Sequence, residues 1–189
     1  MQTAVNDETQ ASVRIVPLAL AGGVGDVGGK ASRLGELMVR GEQIPDGFCV
    51  VGSGERAVDL ARDAYRRMGP ELSVAVRSSA SAEDGSEASF AGQFETVLNI
   101  QGEQALADAL MACWESLSAG RVQAYLRRRG LAERSGLTMS LLVQRMVAAR
   151  VAGVAFSADP LLGSRNVVVI HAVKGLGDAL VSGEVNPDR

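Results

Sequence analysis

The stretch from Val74 to Ile100, VAVRSSASAEDGSEASFAGQFETVLNI, most limits how this chain can fold. Its two ends read as strands. Between them lies a long loop of serine, alanine and acid. Such loops are uncommon inside compact domains unless they carry function on a rigid scaffold. By alternation Val74 and Val76 share one face of the first strand, and Ala75 and Arg77 share the other. Arg77 therefore stands on a face that is not all core, either as a site residue or as an ordinary surface arginine. In FAGQFET, Gly92 has no side chain to hold a ligand away from the backbone, and Thr96 adds a hydroxyl. Glu83, Asp84 and Glu87 read as solvated loop acids.

Elements on either side set the fold class. VRIVPLAL is a short apolar strand, and Pro17 removes a donor and confines it to a sheet edge. KASRLGELMVRG has Leu34, Leu37 and Met38 on one helical face, with Gly41 placed to end the helix. GERAVDLARDAYRRMG repeats the pattern with Val58, Ala61, Tyr65 and Met68. The run from Glu103 to Gly130 reads as a long helical region lined by Leu106, Leu110, Cys113, Trp114 and Leu117, weak at Gly120. LTMSLLVQRMV, VAGVAFSA and NVVVIHAV read as strands. Helices beside strands without regular alternation predict an α+β fold rather than a doubly wound sheet.

The glycine cluster AGGVGDVGGK contains Gly23-x-Gly25-x-x-Gly28, a formal match to a dinucleotide fingerprint. Pro17 spoils the strand that such a fingerprint follows, and the helix is expected only after Lys30. A Walker-type loop fails as well, because Lys30 precedes Ala31 rather than Ser or Thr. What remains is a glycine loop delivering one lysine to the first turn of a helix. Backbone N–H groups and a cation suit an anion such as phosphate. A flexible connection carrying a solvated lysine is the other reading. Gln144 interrupts an apolar strand, where its amide can pair with a purine edge or serve nearby backbone. His171, within VVVIHAV, reads as a satisfied or half-exposed strand histidine.

Composition removes several classes. The chain has 189 residues, 47% hydrophobic and 22% charged, with a net charge of −3. That suits one soluble domain or two small lobes and gives no electrostatic case for nucleic acid. Cys49 and Cys113 lie far apart among apolar neighbours and read as buried free thiols, from which a reducing, cytoplasmic setting follows by default. No apolar run is long enough to cross a bilayer. Residues 1–12 are polar, lack the pattern of a signal peptide, and read as a disordered lead-in.

Several segments, taken in order, resemble one family. GGKASRLGEL, IPDGFCV, VAVRSSASAED, ASFAGQFETVLNI, CWESL, LVQRMV, AGVAFSADPLLG and GLGDALVSGEVNPD are similar to the nucleotide-binding domain of phosphoenolpyruvate synthase and pyruvate phosphate dikinase, which rifampicin phosphotransferases share. The resemblance covers about residues 22 to 189. It implies an ATP-grasp fold, in which two α+β lobes clamp ATP. The first lobe would span 13–136 and the second would begin at 137. It also implies roles. Lys30 and Arg77 bind the ATP phosphates, the loop with Gly92 and Thr96 closes over them, and Gln144 lies by the adenine.

Two departures from the family pattern carry expectations of their own. The segment between GFCVV and VAVRSSA is short, so a helical subdomain is expected to be trimmed. The chain stops at VNPDR, so the second lobe is expected to be truncated, with the Mg2+ ligands and a separate phosphohistidine or acceptor domain lying beyond it. The leading reading is the ATP-binding part of a dikinase-type phosphotransferase, as a fragment or one chain of a split enzyme, not fully active alone. The alternatives are a non-catalytic nucleotide-binding remnant or regulatory module and, on the glycines alone, a dinucleotide-binding lobe.

Overall fold

The computed structural model describes residues 13–80, 96–118, 139–186 and 188. The chain divides into two compact units, Met1–Met146 and Val147–Arg189. Helices and antiparallel strands mix in the first unit, as the α+β reading requires.

The first unit is built on a five-stranded sheet. Its strands are β1 (Arg14–Pro17), β2 (Gly47–Val51), β3 (Val74–Ala80), β4 (Thr96–Ile100) and β5 (Met139–Arg145). They run in the order β1-β2-β5-β3-β4, and every pairing is antiparallel. β1 takes an edge, where Pro17 removes no ladder bond from a second neighbour. β5 lies between β2 and β3 and carries the buried run Leu141, Leu142 and Val143. The sequence reading opened the second lobe at 137. Contacts instead divide the chain at 146/147, because β5 is the middle strand of the first sheet.

Alternation along the strands gives the sheet two apolar faces. One carries Phe48, Val50, Val74, Val76, Leu141 and Val143. Helices α2 (Glu55–Met68) and α3 (Glu103–Ser118) cover it with Ala57, Ala61, Tyr65, Leu106, Leu110 and Cys113. Met68 and Trp114 pack at its margin, much as the helical periodicity predicts. The expected extension of α3 towards Gly130, and the side chain of Leu117, lie outside the described residues. The opposite face carries Val16, Cys49, Val51 and Leu142 and is covered by α1 (Gly28–Val39).

α1 differs from expectation in two ways. It starts at Gly28, not after Lys30. Its buried seam runs through Ala31 and Gly35, flanked by Leu34 and Met38, while Leu37 is exposed. Small residues let the helix lie close to the turn before it. A Cβ on Gly35 would stand 2.5 Å from Gly22 N and 2.8 Å from Leu18 O. That close approach centres the seam on positions 31 and 35 and rotates Leu37 outward.

The second unit pairs β6 (Val151–Phe156) with β7 (Val169–Lys174), followed by a short helix, α4 (Asp178–Ser182), that the sequence reading did not anticipate. Asp188 bridges to Ala172 on β7. Asp159 folds the intervening loop by accepting from the N–H groups of Leu161 and Leu162. His171 is half-buried and meets the Phe156 ring edge-on, with centroids 5.7 Å apart. That agrees with a half-exposed strand histidine.

Tyr65 ties α2 to the two chain segments below it. Its hydroxyl donates towards the carbonyls of Pro70, 2.9 Å, and Leu72, 2.7 Å, and accepts from Gly102 N at 3.0 Å. The side chain is fully buried. Tyr65→Phe strands those groups with their shape otherwise unchanged. It is expected to lower stability by about 1–3 kcal/mol, read as a shift in the urea unfolding midpoint with an unchanged slope.

Candidate functional site

The site residues are carried by the α1 face of the sheet. Arg77, on β3, stands opposite Thr96 on β4 and opposite Leu142 on β5. Gln144, two residues on from Leu142, stands opposite Ala75. Arg77, Thr96 and Gln144 therefore share one face, with Gln144 at a diagonal position from Arg77, where spacings are about 7–8 Å. Arg77 is half-buried and Thr96 is exposed.

Lys30 reaches the same strand from the helix that covers that face. It is the third residue of α1, and its ammonium donates to the carbonyl of Ser78 at 3.2 Å, one residue from Arg77. The two cations singled out in the sequence thus come to one strand although they are 47 positions apart. Gly92 lies outside the described residues. Gln144 is buried, and its Nε2 donates to the carbonyl of Pro45 at 3.0 Å. Its amide therefore serves nearby backbone, one of the two roles open to it from sequence, and its Oε1 is the acceptor that a base amine could use.

Sequence reasoning missed what seats α1. Gly28 has φ +75°, a left-handed conformation that favours glycine. A Cβ there would overlap the carbonyl and hydroxyl oxygens of Ser79. The Ser79 hydroxyl accepts from Ala31 N at 3.4 Å. Ser140 Oγ donates towards Val27 O and towards Ser79 O, the latter at 3.2 Å. Ser79 and Ser140 are register partners and fully buried. The signal was present in the sequence as two serines set in apolar strands, RSSA and TMSLL, where a hydroxyl needs a partner.

The dinucleotide alternative does not survive. That fold leads a parallel strand into its glycine turn. Here β1 is an antiparallel edge strand, separated from α1 by two short 3-10 turns. The glycines serve a different purpose, with Gly28 and Gly35 admitting close backbone contacts.

Both cysteines are buried. Burial, with a smaller contribution from the nearby Asp26 carboxylate, pushes the Cys49 thiol up to about 12. Asp26 itself is held by Arg14 at 2.6 Å.

Comparison with known proteins identifies the family. Residues 53–189 match the family described as pyruvate phosphate dikinase, AMP/ATP-binding domain. The chain belongs to that family. It is similar to a rifampicin phosphotransferase of a Streptomyces species, 36% identical over 89% of this chain and 25% of the relative. It is also similar to the phosphoenolpyruvate synthase of Aeropyrum pernix, 34% identical over 86% of this chain and 26% of the relative. A probable phosphoenolpyruvate synthase of Staphylothermus marinus is 46% identical over 68% of this chain and 16% of the relative. The chain thus spans about a quarter or less of the length of these relatives. The family match begins after Lys30, but the 89% and 86% matches are too long to leave Lys30 out.

Two outcomes test the seating of α1 and the state of Cys49. Gly23 and Gly28 both have φ +75°, but only at Gly28 would a Cβ meet other atoms. Gly28→Ala is therefore expected to cost about 2 kcal/mol more than Gly23→Ala, measured by denaturant unfolding. For Cys49, the folded state holds the thiol proton more tightly than the unfolded chain does. Its contribution to stability is therefore fully present below pH 9.0, the ordinary thiol value, and is lost as pH rises towards about 12. Cys49→Ser should flatten that alkaline loss in unfolding measurements between these limits.

Proposed function

We propose that this chain is the ATP-binding part of a dikinase-type phosphotransferase with an ATP-grasp arrangement. In this reading Lys30 and Arg77 neutralise the ATP phosphates. Thr96 and the loop containing Gly92 close over them, and Gln144 lies by the adenine. The observation that carries the reading is the arrival of Lys30 on the carbonyl beside Arg77, on the sheet face shared with Thr96 and Gln144. Phosphoryl transfer asks a protein mainly for positioning and charge neutralisation. An ammonium supplies a compact charge and a guanidinium a planar, two-pronged donor. The first turn of α1 adds the positive end of a helix dipole on the same side.

Among the described residues no group of three or more His, Cys, Asp or Glu could hold a metal ion. Mg2+ bound with ATP takes most of its ligands from phosphate and water, with one or two from protein carboxylates. The phosphoryl group would pass to a histidine on a separate domain or chain, and from there to pyruvate, an antibiotic or another acceptor. The names and greater length of the relatives support that arrangement. No described helix is long and apolar enough to cross a membrane. A cytoplasmic setting fits two buried cysteines.

The test is nucleotide binding by calorimetry. Arg77→Ala is expected to weaken ATP by about 1.5–3 kcal/mol, roughly 10- to 150-fold. Arg56→Ala, an exposed arginine on α2 at the opposite face, should leave it unchanged. Equal effects of the two substitutions would remove Arg77 from the site.

A further inference from the structure

We propose that Ser140 and Ser79 are positioning residues for the phosphate site, setting where the first turn of α1 begins against β3. This inference rests on the ATP reading above. Five contacts meet at this point of the fold. Gly28 lies against Ser79 with no room for a side chain. Ala31 N donates to the Ser79 hydroxyl. Ser140 Oγ donates towards both Val27 O, the residue just before α1, and Ser79 O. Lys30, between Gly28 and Ala31, puts its ammonium on Ser78 O.

The chemistry explains why hydroxyls are used. Apolar packing holds a helix to a sheet but tolerates small slides, since its attraction has little direction. Hydrogen bonds to fixed carbonyls have narrow distance and angle limits. Ser140 is buried on the central strand β5, so its hydroxyl ties the start of α1 to the middle of the sheet. The Lys30 side chain has a flexible stem and could absorb a small displacement. The backbone N–H groups of the first turn have no such slack. A shift of the turn therefore changes the donors that an anion meets, while the rest of the fold stays intact.

A merely structural role makes a different prediction from a positioning role, and comparing two ligands separates them. ATP and adenosine affinities are measured by calorimetry on the full chain, with thermal midpoints in parallel. Ser140→Ala is expected to weaken ATP roughly ten-fold and to leave adenosine within about two-fold. Ser140→Thr, which keeps the hydroxyl, should recover most of the ATP affinity. Should Ser140→Ala not fold, Ser79→Ala carries the same expectation, because it removes the acceptor of Ala31 N. Equal losses for both ligands, or no loss of ATP affinity in a folded variant, would overturn the inference. If Lys30→Ala loses ATP while the serine variants keep it, this inference alone fails. If the unsubstituted chain binds ATP no better than adenosine, the ATP reading fails and this inference goes with it.

Discussion

The contact on which the rest of the site depends is that of Gly28 with Ser79, backbone against backbone. It fixes the distance between α1 and β3 at a value that no residue with a Cβ would allow. Everything nearby follows from it. The Ser79 hydroxyl can reach Ala31 N only because the helix lies this close. Ser140 can span from β5 to Val27 for the same reason. Lys30, in the first turn of the helix, then has β3 within reach of its stem. The second close approach, Gly35 against the 18–22 turn, keeps the far half of the helix parallel to the same surface. The two glycines and the pair of serines thus mount α1, and Lys30 with it, against the strand that carries Arg77.

The layered arrangement explains why the mount faces one way. α2 and α3 supply the larger apolar side chains, and their face of the sheet is closed with Tyr65, Leu106 and Leu110. α1 contributes mainly small ones, and the same face carries the buried Gln144, the half-buried Arg77 and the exposed Thr96. A strand pair alternates its side chains without exception unless a bulge intervenes. The irregularity between Val74 and Val76 in the β3–β4 pairing comes just before Arg77 and Thr96 fall opposite each other. The polar residues of the site are consequently neighbours by register and not by chance of rotamer.

Much of this was legible in the sequence, and the reasons differ by element. Helices α2 and α3 and most of the strands were readable from their periods, but β2 was not, because GFCVV is buried on both faces and leaves no alternation. The edge position of β1 was readable because proline has one fewer donor to give. Arg77 was readable from alternation alone. Lys30 was readable as a helix-start lysine, but its partner was not, since contacts 48 positions apart leave no local pattern. The seam of α1 was misread because periodicity weighs large side chains, whereas this helix is placed by the absence of them at Gly28 and Gly35. The central position of β5 was also hidden. A strand order that inserts the last strand between two earlier ones is decided by pairing energetics across the sheet, not by any residue in LLVQR. Roles for Gly92 and Gln144 came from resemblance, which reads a family's history rather than the physics of one chain.

Membership in the AMP/ATP-binding family also bears on how charge is spent here. The match with the Streptomyces rifampicin phosphotransferase runs over 215 positions, more than the 189 residues of this chain, so the relative holds residues with no counterpart here. Yet the parts that seat Lys30 against β3 are all present, and most of them are uncharged. The proposed phosphate site would use both kinds of residue. A cation on a long stem contributes affinity wherever it can reach, and solvent screens much of any misplacement. A glycine or a buried hydroxyl has no such latitude, because overlap and unsatisfied donors are not screened by water. In the proposed ATP site, affinity for the anion would reside in Lys30 and Arg77, and the accuracy with which it is held in the glycines and buried serines that seat α1.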